Sequence, residues 1–142
     1  MNWYTWALLS ALFAGATAVL AKHGVAGINS HLATAIRTLV IVAFSWCIVF
    51  WYVPRHELST IDRRTWIFLI LSGIATGLSW LCFFRALQLG DVSRVAAIDK
   101  LGLVFAILLA VVFLRERLTW LQWGGVILIV LGTVAVSWKS VR

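Results

Sequence analysis

Residues 65–84 read TWIFLILSGIATGLSWLCFF, twenty consecutive positions without a charge. A helix needs roughly 20 residues to cross about 30 Å of hydrocarbon, and this run is that long. Its apolar residues are continuous rather than alternating, and the run is about twice the length of a barrel strand. A membrane-spanning helix is the expectation. Four further runs flank it. Residues 3–21 carry no charge and end at Lys22, whereas residues 32–53 carry only Arg37 and stop at Pro54, the single proline. Residues 95–114 contain Asp99 and Lys100, and residues 118–138 are uncharged and end at Lys139. The fourth run is the weakest span, because its uncharged part, 101–114, is too short to cross alone. The fold class expected is all-α, a bundle of five transmembrane helices forming a single domain over residues 1–142.

Composition agrees. Of 142 residues 63% are hydrophobic and 12% charged, with a mean hydropathy of +1.00. A soluble domain of this size still exposes much of its chain and cannot hide so much apolar surface. Among the nine Trp, Trp3, Trp6, Trp51, Trp66, Trp120 and Trp138 lie near run ends, where an amphipathic ring prefers the headgroup zone. Trp46 and Trp80 fall inside runs and need another explanation. The first run could be a cleaved signal peptide, with Ala16-Thr17-Ala18 as its cleavage site. No Lys or Arg precedes it, however, and it exceeds a usual signal core, so a retained helix is expected.

The net charge of +7 comes from basic residues scattered in ones and twos between runs. They form no basic face of the kind that binds nucleic acid. They are expected to orient the helices and meet lipid headgroups of the bilayer. Cys47 and Cys82 are expected to be packing thiols. His23, His31 and His56 sit apart near loops, without metal-ligand spacing. No phosphate-cradling loop or serine elbow is present, so neither an enzyme nor a bound metal or cofactor is expected.

The connections are short. Gly90-Asp91-Val92-Ser93 supplies a helix stop followed by an N-cap, and Arg115-Glu116-Arg117 with Thr119 as cap does the same. Residues 54–64 leave room for one small surface element, with Ser59 and Asp62 as a loose capping pair. Small residues four apart mark helix contact faces in lipid. The first run offers Ala11 and Gly15, with Ala14 and Ala18 one position round. The third offers Gly73 and Gly77, and the fifth Gly124, Gly125 and Gly132. Packing within one bundle is the expected use of these faces, a dimer seam the other.

Arg37, Asp99 and Lys100 are the charges inside runs, and Arg85, which closes the third run, is expected one turn from the end of its helix, where it could snorkel. An ionised side chain near the bilayer centre costs about 2.5–3.5 kcal/mol on insertion scales, so it normally faces a partner or a wet cavity. Asp99 and Lys100 are neighbours pointing about 100° apart, so each needs its own partner. Asp99 with Arg37 is the preferred pairing. With three basic groups to one acidic, a cavity lined by them should favour an anion or a carboxylate-bearing solute.

Several stretches together resemble a known family. They are Ala86-Leu87-Gln88-Leu89-Gly90-Asp91, Val95-Ala96-Ala97-Ile98-Asp99-Lys100-Leu101, Phe113-Leu114-Arg115-Glu116-Arg117-Leu118 and residues 125–132. The opening Trp6-Ala7-Leu8-Leu9-Ser10-Ala11 and the stretch through Ala33, Ile36 and Arg37 also fit. The chain resembles, over nearly its whole length, the EamA-type domain of the drug/metabolite transporter superfamily, in its short single-domain branch. Arg115 stands where the common family form has a glycine before the glutamate. The resemblance implies a small-metabolite transporter, often an exporter, with its pocket at the centre of an inverted-repeat bundle. Larger relatives have ten helices in two homologous halves. Five crossings place the two termini on opposite faces, so one copy can imitate that architecture only by pairing with an inverted partner.

Charge counts permit such pairing. With a cytoplasmic N-terminus, one face would carry Arg55, Arg63, Arg64, Arg115 and Arg117, and the other Lys22, Arg94, Lys139 and Arg142. Five against four is close to no orienting bias. The expected function is therefore secondary transport of a small metabolite across the cell membrane by alternating access, as an exporter and a homodimer, with antiparallel pairing one arrangement. Arg37, Trp80, Asp99 and Lys100 are the expected substrate-binding residues. Asp99 would carry a coupling proton or hold a cationic neighbour, Trp80 would stack on the solute, and the basic groups would meet its acidic part. The rival reading is a non-transporting scaffold or accessory subunit of a larger membrane complex, in which the embedded charges would all pair internally.

Overall fold

The structure is a computed structural model that describes residues 2–138, apart from the side chains of Arg55, Leu58 and Ser59. It is all-helical among those residues. The helices are α1 (Trp3–Gly24), α2 (Ser30–Tyr52), α3 (Arg63–Leu89), α4 (Val92–Asp99), α5 (Leu101–Phe113) and α6 (Trp120–Ser137). A 3-10 helix, Arg55–Thr60, fills the longest connection. Because α4 and α5 run on as one segment, Val92–Phe113, five helices are long and apolar enough to cross a membrane. The chain is a multi-pass integral membrane protein. Lys139, Arg142 and the expected Ser59 capping contact lie outside the described residues.

The helix ends follow local chemistry. At the start of α2, Asn29 is the N-cap, and its side chain accepts a hydrogen bond from the His31 amide at 2.8 Å. Thr119 caps α6 as expected, in a reciprocal capping box. The Thr119 amide donates to Gln122 Oε1 at 2.7 Å, and the Gln122 amide donates to Thr119 Oγ1 at 3.4 Å. Asp62 accepts from the Thr65 amide at 3.2 Å at the start of α3. Asp91 stands at the N-cap position of α4 but makes no capping bond, and its carboxylate lies 3.6 Å from Arg94 instead. Arg115 has φ 55°, the left-handed conformation that explains the family's usual glycine there.

The fourth span is not uniform. The Lys100 amide bonds to the Ala97 carbonyl at 3.1 Å, a one-turn 3-10 tightening between α4 and α5. The tightening falls on the two charges that made this span the weakest in the sequence.

The chain divides into two compact units, residues 1–19 with 89–142, and residues 20–88. In the first, α6 packs against both α4 and α5. In the second, α2 and α3 meet through side chains that include Phe84, and Leu87 and Val25 are fully buried. The buried set is small, since most large apolar side chains face outward, as lipid contact requires. Trp3, Trp51, Trp120 and Trp138 are 75–92% exposed at helix ends, the aromatic-belt position.

Two expectations need correction. Cys47 and Cys82 are exposed rather than packed, as lipid-facing positions allow. The glycines do not mark close packing within this chain. A Cβ added at Gly15, Gly73, Gly77, Gly124, Gly125 or Gly132 would meet nothing within 4 Å.

Candidate functional site

Arg37 is the eighth residue of α2, well inside a membrane span. Its guanidinium carbon stands 4.7 Å from the Trp80 ring centroid and 5.3 Å from that of Phe84, both on α3. Trp80 and Phe84 are four residues apart, so their rings share one helix face and form a continuous platform. Phe84 is buried, with Phe83 edge-on to it at 6.3 Å. Arg37 and Trp80 are both half-buried. An aromatic quadrupole is a worthwhile counterpart for a cation removed from water, about 2 kcal/mol or more when desolvated. The flat face of the guanidinium suits it, while the five N–H donors point outward in its own plane. Arg37 thus has a counterpart without the expected Asp99. Trp80 has one ring face occupied by Arg37 rather than held open for a solute.

A polar cluster stands at the end of the same unit, where α3 meets the connection between α1 and α2. Lys22 Nζ donates to the Leu87 carbonyl at 2.6 Å, meeting one of the carbonyls that every helix leaves open in its last turn. Gln88 Nε2 donates to the carbonyls of Ile28 at 2.7 Å and Val25 at 3.2 Å, while its Oε1 accepts from Arg85 Nη1 at 3.0 Å. Gly27, at φ 81°, makes the turn that brings those carbonyls round. A cavity of about 220 Å³ opens here, lined by Lys22, Val25, Ala26, Gly27, Leu87 and Gln88. Arg85 lies one turn from the end of α3, as expected, and donates to Gln88 of this cluster. Sequence reasoning gave Gln88 and Lys22 no such role. A lone amide beside a helix-ending glycine, Gly90, was the available signal.

Asp99 and Lys100 belong to the other unit, at the α4–α5 tightening. Both are exposed, and neither makes an ion pair or side-chain hydrogen bond with a described residue of its own unit. The structure brings Arg37 and Trp80 together, then, and places Asp99 and Lys100 in a separate setting.

Five apolar spans, an arginine met inside one of them by aromatic rings, and two further charges inside another define a multi-pass membrane protein with charged groups within its spans. A family model described as the EamA-like transporter family matches residues 1–138. The chain is 51% identical over 136 residues, 96% of each chain, to a Sinorhizobium protein named an uncharacterized transporter in the cobO 3' region. It is also 27% identical over 97 residues to an uncharacterized protein of Methanocaldococcus jannaschii, covering 68% of this chain and 70% of that one. No solved structure matches. The chain belongs to the EamA-like transporter family.

Proposed function

We propose that the chain is a secondary carrier that exports a small carboxylate-bearing metabolite by alternating access, working as a homodimer. The observation that carries this reading is Arg37, a permanent cation inside a span, stacked on Trp80 and Phe84. The rings lie on one side of it, and its edge donors suit the two oxygens of a carboxylate, which a planar fork grips in bidentate fashion. Asp99 is the ionisable group that would take up a coupling proton, and Lys100 would add to the attraction for an anion. Family membership and a relative named a transporter support the class. The chain's lack of a nucleotide-binding motif fits coupling to an ion gradient.

The test is thermal denaturation of purified protein in detergent across a panel of carboxylate-bearing and neutral metabolites. A ligand at a hundred times its Kd stabilises by about 2.7 kcal/mol, enough to read. At least one acidic member should raise the melting temperature of the natural protein and leave Arg37→Met unchanged. Efflux of that solute from reconstituted vesicles should then be lost in Asp99→Asn. Equal stabilisation of the Arg37→Met protein would defeat the role given to Arg37.

A further inference from the structure

The cavity beside Lys22 and Gln88 has no part in the carrier reading. It lies where three membrane spans end together, since α1 stops at Gly24, α2 starts at Ser30 and α3 stops at Leu89. Span ends lie at the level of the lipid headgroups. The space, about 220 Å³, equals about seven waters at their liquid volume, enough for a phosphate and part of what it carries. Of its lining residues, Val25 and Leu87 are buried and apolar, while Ala26 and Gly27 are exposed.

The electrostatics favour an anion. Within residues 20–88 the acidic, basic and histidine side chains at this end of the spans are Lys22, His23, His31 and Arg85, and none is acidic. The two acids of that unit, Glu57 and Asp62, lie in the connection at the opposite ends of α2 and α3. Asp91, the nearest acid in sequence, stands 3.6 Å from Arg94. Carbonyls at the ends of α1 and α3 would oppose an anion. Those of Val25 and Ile28, however, accept from Gln88 Nε2, and that of Leu87 accepts from Lys22 Nζ. The same bonds fasten the turn at Gly27 to the end of α3, so the cavity wall stands without an occupant. A lysine ammonium attracts phosphate as a point charge, even while it holds a carbonyl. Apolar walls beside a cation suit an amphiphile better than a free ion, and basic pockets between spans are places that hold anionic headgroups. We infer that this cavity is a docking site for an anionic phospholipid, with its phosphate at Lys22 and its glycerol end against Val25, Ala26 and Leu87. The inference is independent of the carrier reading.

Native mass spectra of the protein released from detergent, after incubation with phosphatidylglycerol or phosphatidylcholine, test it. Retained phosphatidylglycerol is expected in clear excess over phosphatidylcholine, whose choline meets the same cations. Lys22→Met should weaken phosphatidylglycerol binding roughly tenfold or more, the effect of losing one charge-assisted hydrogen bond. Because Lys22 also closes α3, Ala26→Phe gives a second variant. It fills the cavity, leaves every charge in place and should lose the lipid. Arg37→Met should keep it, and loss there would make the two sites one and overturn the inference. Equal retention of the two lipids, or undiminished retention by a folded Ala26→Phe protein, would also overturn it. So would thermal melts in which inorganic phosphate stabilises as well as phosphatidylglycerol, since the site would then belong to a soluble anion.

Discussion

Arg37 and Asp99 are each the eighth residue of their helices, α2 and α4, so each stands about 10 Å from its helix start. Their surroundings are opposite. Arg37 faces a neighbouring helix that presents Trp80 and Phe84, large enough to cover a guanidinium with ring faces. Along its own span Asp99 is flanked three residues away by Ala96 and Gly102 and four away by Val95 and Leu103, none of them aromatic or charged. An intramembrane charge can be met by the chain itself where the opposing residues are bulky and polarizable. Where they are small or aliphatic, they offer the charge no counterpart. The region of α2 and α3 in this sense answers its own charge, and the α4–α5 span does not answer its charges within its own unit.

The contrast is most easily broken at Trp80. Trp80→Leu leaves the Arg37 charge with Phe84 alone and should lower stability in detergent by about 2 kcal/mol, with Trp80→Phe costing less. Arg37→Met removes the charge together with its need for a ring and should be the milder change, since hydrocarbon no longer holds an ion. Thermal melts of the three variants give the order. A Trp80→Leu protein as stable as Arg37→Met would mean that the rings do not hold the cation. Gln88→Leu comes next. It strips the side-chain donor from the Val25 and Ile28 carbonyls and should cost about 1–2 kcal/mol, moderated by water at the helix end. Faster proteolysis in the connection between α1 and α2 should accompany it.

Much of this could be read from the chain. All five spans were legible because lipid demands long uncharged runs, and the doubtful fourth was doubtful for the reason the structure displays at Lys100. Helix ends were less so. The third helix runs on to Leu89, past Arg85, because one arginine anchored to Gln88 does not interrupt backbone hydrogen bonding. Arg37 and Trp80 were each singled out, but their meeting depends on how two helices are rotated about their axes, which no run of residues encodes. The spacing of Trp80 and Phe84 was the available hint. The glycine faces misled in the other direction, since small residues permit close approach without saying whose helix approaches.

Smaller effects sharpen the comparison outside the membrane, where neither region should dominate. Arg115→Gly relieves a left-handed backbone at a residue with a Cβ, and should stabilise by about 1 kcal/mol once the greater freedom of unfolded glycine is offset. Asp62 should show in the acid limb alone. Hydrogen bonds from the Thr65 side chain and then the Thr65 amide hold its carboxyl below the usual carboxylate range. A depressed folded value means the stabilisation is complete above the ordinary pKa of about 3.9 and fades as pH falls through the lower one. Asp62→Asn keeps a capping oxygen without the charge, so the variant and natural proteins should differ slightly at neutral pH and converge in strong acid. Melts recorded between pH 2 and 7 would show it, and a constant difference across that range would contradict the assignment.

Arg115 has a consequence beyond the shape of its turn. Basic residues near helix ends steer a nascent chain as it enters the bilayer, and on the expected topology the two faces would carry five against four. A glycine at this position would sit in the backbone without strain and would make the count four against four. The arginine accepts a conformation ill suited to it and leaves one face with a single extra positive charge. The residue that costs the folded turn its ease is thus one of five whose loss would even the expected count.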